Sequence, residues 1–259
     1  MIGVPTSAGF VPPSPADFWQ PLIGDGGFAI TRPMFLMVLT TAAICLVLVL
    51  GTRRLTLVPG RGQWALEGVY GFVRNSVGRD VIGAAHVRPY LGLLLAIFTL
   101  VLVNNVMGIT PLVQYPTFSR IGFPIVLAVA VWAVYLVAHV RRNGLIGFLK
   151  HLVPPGLPVF AVPVVFVLEL LTFLVIRPVT LALRLFGNMF AGHTLLLLFA
   201  LGGEFMLLHG GAFLKVVSVP TFAIFFFITA FEILVSFLQA YVFVLLTSLY
   251  IAEVYADDH

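Results

Sequence analysis

Long runs of hydrophobic residues divide this chain into candidate membrane-spanning helices. Uncharged apolar runs cover residues 33–51, 90–112 and 123–140, and each is close to the roughly 20 residues that a helix needs to cross about 30 Å of hydrocarbon. Two longer apolar runs follow, at residues 159–201 and 213–255. We therefore predict an all-α polytopic membrane protein in which all 259 residues form one membrane domain with about five membrane-embedded helices.

The last two runs are too long to cross a bilayer at right angles. As a helix, residues 159–201 would extend about 60 Å, roughly twice the hydrocarbon thickness. We expect this segment to be strongly tilted, or to bend at Pro163 and Pro178, because proline lacks the N–H that an α-helix uses. The glycine-rich segment GGEFMLLHGG, residues 202–211, would then turn the chain so that it pairs with residues 213–255 as an antiparallel hairpin.

Residues 62–88 have a mixed pattern that differs from the spans. Apolar side chains such as Trp64 and Val69 alternate with polar ones such as Glu67 at roughly helical spacing. This pattern predicts an amphipathic helix in the cytoplasmic membrane interface. Residues 1–32 lack a basic start and an early apolar core, so we predict a short outer segment and no cleaved signal peptide.

The composition excludes an ordinary soluble domain and sets an orientation. Charged residues make up 9% of the chain, whereas soluble domains contain about 25%. Under the positive-inside rule the basic loops lie in the cytoplasm, which places the N-terminus outside and the C-terminus in the cytoplasm. The net charge of +4 therefore reports orientation and not a nucleic-acid surface. The cytoplasmic basic residues are Arg53, Arg54, Arg61, Arg74, Arg79, Arg88, Arg141, Arg142 and Lys150.

Cysteine and arginine usage adds two expectations. The one cysteine, Cys45, lies in the first apolar run, which excludes an internal disulfide and predicts a small buried hydrophobe. Twelve arginines against two lysines favour a GC-rich bacterial genome. We therefore expect a bacterial plasma membrane, with an organellar energy-coupling membrane as the alternative.

Arg184 interrupts the apolar interior of the last hairpin, where a charged side chain costs about 2.5 to 3.5 kcal/mol. At 100° per residue, Arg177 and Asn188 share a narrow stripe with Arg184. This stripe predicts contact with a partner helix. The alternative is that Arg184 snorkels to a headgroup or pairs with Glu169 inside the chain.

Four further polar side chains stand in the same hairpin. His193 lies about 180° around the helix from Arg184 and can face Glu232, and this pair is suited to relay protons; a structural histidine is the alternative. Gln239 lies on the same face as Glu232. Glu169 would line a proton exit or pair with Arg177, although their phase difference of about 80° is unfavourable for a direct pair.

Asn104 and Asn105 lie inside the span at residues 90–112. Buried amides more often bond neighbouring helices than carry protons. We therefore expect structural bonds with some contact to water.

Several motifs together resemble one family. RPVTLALRLFGNMFAGH and EILVSFLQAYVF in the last hairpin, with VLELLTFL, NNVMGITP and LVPGRGQWALEGVYGFV before them, are similar to subunit a of the rotary F-type ATP synthase. The resemblance covers the chain beyond its first thirty or so residues. It likewise implies two strongly tilted final helices.

The resemblance implies a stator subunit with two offset half-channels, which load and unload protons on the carboxylates of a rotating ring of c subunits and so couple proton flow to ATP synthesis. Some relatives carry the His193 and Glu232 side-chain types exchanged, which suggests that the two are close. Implied partners are the c-ring, the peripheral-stalk b subunits, the rest of the complex and membrane lipid. No catalytic site, cofactor or metal is expected in this chain. The implied proton-translocating residues are Arg184, Glu232, His193, Glu169, Gln239 and Asn188, with Arg177, Asn105 and Ser236 as accessory positions.

Two other classes of protein fit this sequence less well. A secondary transporter would use the central arginine for an anionic substrate, but it should show broken short helices in two matching halves. A membrane enzyme for lipid-linked substrates should present a carboxylate or histidine cluster at the interface. The sequence shows neither pattern. The coupling ion, H⁺ or Na⁺, stays open because its first shell would lie mainly on the ring subunit.

Overall fold

The computed structural model describes residues 21–23, 30–53, 56–110, 117–151, 158 and 160–258. In this part of the chain five helical stretches are long and apolar enough to cross a membrane, which confirms the all-α polytopic prediction. The predicted outer segment, residues 1–32, lies mostly outside the described residues. The helices are α1 (Arg32–Thr52), α2 (Arg61–Phe72), α3 (Asp80–Ile82), α4 (Leu91–Ile109), α5 (Gly122–His151), α6 (Val162–Leu171), α7 (Arg177–His209) and α8 (Ala212–Ala252).

Short irregular elements connect these helices. The π-helical segments Val73–Arg79 and Thr172–Ile176 join α2 to α3 and α6 to α7, and 3₁₀ turns occupy Thr117–Ser119 and Glu253–Asp258. Before α1, strand β1 (Pro21–Ile23) pairs antiparallel with strand β2 (Ile30–Thr31).

The helix predicted for residues 62–88 is shorter than its pattern indicates. It runs from Arg61 through the π-helical turns and ends at Ile82, before residue 88. Gly83 stops it, because its φ of 92° leaves the helical region. Trp64 is exposed while Val73 and Val77 are buried, as expected for an amphipathic segment.

The fourth candidate span is one continuous helical stretch, Val162–His209, of 48 residues. It would extend about 70 Å, more than twice the hydrocarbon thickness, so it cannot cross a bilayer upright. The two prolines do not break it. Pro163 lies in the first turn of α6, and Pro178 follows the π-helical segment, where the Arg177 N–H bonds the carbonyl of Thr172. This wider turn makes room for Pro178, which has no N–H to donate to the helix.

The turn of the hairpin is tighter than predicted. Helix α7 continues past residue 201 to His209, and Gly210 and Gly211 alone separate it from α8. The strong helix formers between the glycines favour this extension. Gly203 also lies against Phe222 of α8, because a Cβ at Gly203 would approach that ring within 3.2 Å.

The core lies between the last hairpin and the middle spans. Helix α8 packs against α7 and α4, and α5 packs against α7. Buried side chains in this core include Leu185 on α7, Phe243 on α8, Phe98 on α4 and Tyr135 on α5. The opposite face of the hairpin exposes apolar side chains such as Leu183.

Candidate ion-translocation site

Arg184 lies near the midpoint of the longest helical stretch, with its side chain exposed. Leu181 and Leu185, close to Arg184 on α7, are buried in the core. No described residue forms a hydrogen bond or ion pair with the Arg184 guanidinium, so the predicted alternative of a pair with Glu169 is not formed. Asn188, one turn further, is half-buried. Arg184 therefore faces away from its own chain.

His193 and Glu232 meet on the inner side of the hairpin, where both are buried. The distance from His193 Nδ1 to Glu232 Oε1 is 3.9 Å. Gly192 makes this approach possible, because a Cβ at that position would collide with Glu232 Oε1. The structure thus places His193 on the face of α7 that points away from Arg184 and toward Glu232, as predicted from helical phase.

A backbone carbonyl orients the His193 ring. His193 Nε2 lies 2.8 Å from the oxygen of Gly108 in the last turn of α4. Since a carbonyl accepts hydrogen bonds, Nε2 carries the proton in the neutral ring and Nδ1 presents its lone pair. That lone pair faces Glu232, so a proton can pass between the two side chains after a small approach.

Three more polar side chains follow this pair along α8 and α4. The Asn105 amide donates to the carbonyl of Ser236 over 3.4 Å, and Gln239 is buried one turn further on α8. We call His193, Glu232, Asn105, Ser236 and Gln239 the inner polar cluster.

Four buried atoms of the inner polar cluster have no hydrogen-bond partner among the described residues. Buried polar atoms are normally satisfied, so this set favours contact with water or with transported protons. The atoms are Asn105 Oδ1, His193 Nδ1, Glu232 Oε2 and Gln239 Nε2.

Asn104 is in a different situation from its neighbour. Its amide donates to the Leu100 carbonyl, and its oxygen accepts from Thr40 at 3.1 Å and from Thr117 at 3.0 Å. These bonds tie α4 to α1 and to the turn at Thr117–Ser119. This is the structural role expected for a buried amide.

Arg177 has a partner that sequence reasoning did not consider. Its Nη1 donates to Glu253 Oε2 over 2.5 Å, and not to Glu169, which has no described partner. The predicted antiparallel hairpin could have indicated this pair, because it brings the end of α8 beside the start of α7. The phase argument for Glu169 also changes, because the π-helical segment adds about one residue between it and Arg177. The two therefore lie closer in phase than the predicted 80°.

We expect Gly108→Ala to slow proton transport several-fold. A Cβ at Gly108 would lie 2.9 Å from His193 Nε2 and 3.2 Å from Met189 Cε, so the ring must move away from the carbonyl that orients it. Overpacking of this kind costs about 1 to 3 kcal/mol. For the stator subunit that the motifs resemble, the measurement is ATP-driven pumping per assembled complex. Gly92→Ala on the same helix is the control, since nothing lies within 4 Å of its added Cβ; equal rates in the two variants would contradict the role of Gly108.

The described residues contain no group of three or more His, Cys, Asp or Glu side chains that could hold a metal ion. The fold and the ionisable side chains inside its last hairpin define a polytopic membrane protein of the ion-translocating class.

Comparison with known proteins makes this class specific. Residues 34–252 match the family described as ATP synthase A chain, and the chain belongs to this family. It is 42% identical to ATP synthase subunit a of Nocardioides sp. over 97% of this chain and 95% of the relative. It is 39% identical to ATP synthase subunit a of Pseudarthrobacter chlorophenolicus, covering 98% and 96% of the two chains, and 36% identical to that of Streptomyces lividans, covering 97% and 90%.

Membership of the family confirms the resemblance noted in the motifs. It assigns the chain to proton transport in the membrane sector of ATP synthase, as one subunit of a larger complex. The relatives named are bacterial.

Proposed function

We propose that this chain is the stator half of a proton turbine, with two half-channels that load and unload protons on the carboxylates of a rotating c-subunit ring. The observation that carries the proposal is the exposed guanidinium of Arg184, which has no hydrogen-bond or ion-pair partner among the described residues and lies in the middle of a membrane-spanning helix. Facing lipid, this charge would cost about 2.5 to 3.5 kcal/mol. A carboxylate on a neighbouring subunit would offset that cost.

Arg184 is suited to separate the two half-channels. A guanidinium keeps its proton and has no lone pair to accept another, so it cannot hand protons across the barrier. It does attract a deprotonated ring carboxylate. It therefore favours proton release as each ring subunit passes. Asn188 and Gln239 adjust the polarity on either side of the guanidinium.

The inner polar cluster and Glu169 lie at different depths, as offset channels require. His193 is nine residues from Arg184 toward the hairpin turn, about 13 Å along the helix. Glu169 is fifteen residues away in the other direction, about 22 Å. We assign the inner polar cluster to proton uptake from outside and Glu169 to release into the cytoplasm.

The proposal includes the orientation and the partners expected from the sequence. The N-terminus lies outside and the C-terminus in the cytoplasm, the c-ring covers the face with Arg184, and b subunits hold the chain still. Transport supplies about 2.3 kcal/mol per proton for each 100 mV, so several protons are needed per ATP. ATP itself is made elsewhere in the complex.

Cysteine crosslinking in the intact complex tests the ring contact. Cys45 is exposed, so the prediction that it is buried is wrong, and Cys45→Ala is needed first to remove this native thiol. In that background we expect Leu183→Cys to crosslink to a cysteine placed near the ring carboxylate. Leu183 is 49% exposed, whereas the nearby Leu185 is 0% exposed and provides the control as Leu185→Cys. Crosslinking at both positions or at neither, in complexes that contain the ring, would contradict the proposed face.

A further inference from the structure

Two arginines on one side of α7 are held in opposite ways. Arg177 and Arg184 are seven residues apart, so they lie within about 20° of each other in phase and about 10 Å apart along the helix. Arg184 is exposed and has no partner among the described residues. Arg177 is 16% exposed and its Nη1 lies 2.5 Å from Glu253 Oε2. One charge of the stripe is therefore neutralised and the other is left open.

Aromatic rings enclose the neutralised arginine. The guanidinium carbon of Arg177 lies 4.9 Å from the centre of the Tyr250 ring and 5.5 Å from that of Phe173, both favourable cation–π distances. Tyr135 on α5 donates to the Phe173 carbonyl over 3.3 Å and packs against Tyr250. Arg177 is thus drawn toward α8 and α5.

The turn that carries Glu253 is anchored independently of Arg177. Tyr255 stacks on His86 with ring centres 4.2 Å apart, lies under Arg142 at 4.5 Å, and its hydroxyl is 3.0 Å from that of Tyr90. Glu253 therefore approaches Arg177 from a preformed position.

We propose that Glu253 is a positioning residue that sequesters Arg177, so that Arg184 alone presents a free guanidinium to the ring carboxylate. This inference rests on the proposed function of Arg184. A released Arg177 would offer the passing carboxylate a second cation about 10 Å from the first, and opposite charges attract strongly where water is excluded. The carboxylate would then leave the stator more slowly.

A released Arg177 would also threaten the proposed exit. The π-helical segment brings Glu169 closer in phase to Arg177 than a regular helix would. A new ion pair between them would hold Glu169 deprotonated and occupied, since a nearby cation favours the charged carboxylate. Both consequences slow transport, and neither requires any loss of folding.

The test compares three glutamine variants of the intact complex, Glu253→Gln, Arg177→Gln and the double variant, with Glu253→Asp as a control that keeps the charge. We measure ATP-driven proton pumping in membrane vesicles per assembled complex. Glu253→Gln should pump several-fold more slowly than wild type, because it frees Arg177. Adding Arg177→Gln should reverse most of that loss, and Glu253→Asp should retain more activity than Glu253→Gln because it keeps the charge.

A purely structural ion pair gives a different result, in which all three variants lose assembled complex to a similar extent and pump alike per complex. That result, or a double variant as slow as Glu253→Gln, would overturn the sequestration. Arg184→Ala in the same assay separates this failure from failure of the proposed function, because normal pumping by Arg184→Ala would remove the basis for both.

Discussion

Arg184→Ala is expected to abolish coupled proton transport and ATP synthesis while the complex still assembles. The side chain is exposed and has no hydrogen bond or ion pair with a described residue. Its removal also deletes a charge that is costly inside a membrane. The loss should therefore appear in pumping and synthesis per assembled complex, with the quantity of complex largely maintained.

Arg184→Lys extends the same expectation to a residue that keeps a positive charge. Lysine lacks the planar donor fork of arginine and can lose its proton when buried, whereas a guanidinium cannot. A barrier that releases protons would let them cross between the half-channels without rotation. We expect this variant to fail in coupled pumping as well.

Leu183→Ala is a suitable control for both Arg184 variants, since it truncates an exposed neighbour without altering charge. Normal coupled pumping by either Arg184 variant would show that Arg184 does not separate the channels. Loss of assembled complex would instead indicate that the arginine holds the hairpin together.

Separate loss of His193 or Glu232 is expected to slow transport much more than it lowers the amount of complex. The two side chains meet at 3.9 Å, and the ring nitrogen nearest Glu232 has no hydrogen-bond partner among the described residues. Either alanine variant removes one end of the proposed relay. A structural pair would lose assembly first, so both quantities are measured in the same membranes.

The double exchange, His193→Glu with Glu232→His, should recover activity because it restores both partners. Gly192 leaves room for a side chain at position 232, and the antiparallel hairpin keeps the two positions at similar depth. The pH profile of pumping should then report apparent pKa values that belong to the pair and not to either residue alone.

Cysteines at positions 193 and 232 offer a geometric check in a Cys45→Ala background. A disulfide needs Cα atoms within about 7 Å, while a short bifunctional reagent would tolerate a wider separation. If neither a disulfide nor the bifunctional reagent joins the two positions, and the exchange variant is inactive, the proposed uptake site is contradicted.

The positions of the spans could be predicted because bilayer thickness sets the length of a charge-free run. The opposite faces of Arg184 and His193 could be predicted because α7 is a regular helix between them. The π-helical segment could not be predicted from the sequence, because it depends on how one proline is accommodated within a packed helix. For the same reason the phase of Glu169 was wrong by about one residue.

Two contacts of the site have no signature in residue types. The group that orients His193 is the carbonyl of Gly108, and every residue carries such a carbonyl. Glu253 lies in the turn after α8 and is 45% exposed. In the sequence it cannot be told from an ordinary solvated acid. Both contacts depend on which helices pack together.

The π-helical segment Thr172–Ile176 separates the rotational setting of the proposed exit from the exact length of the chain. The wide turn absorbs about one extra residue, so a helix with one residue fewer in this segment could run as a regular α-helix while the turns before it keep nearly the same rotation relative to α7. Glu169 would then keep its direction, whereas one residue fewer elsewhere between Glu169 and Arg184 would rotate it by about 100°. The segment is therefore a place where a single residue can be gained or lost without re-aiming that side chain.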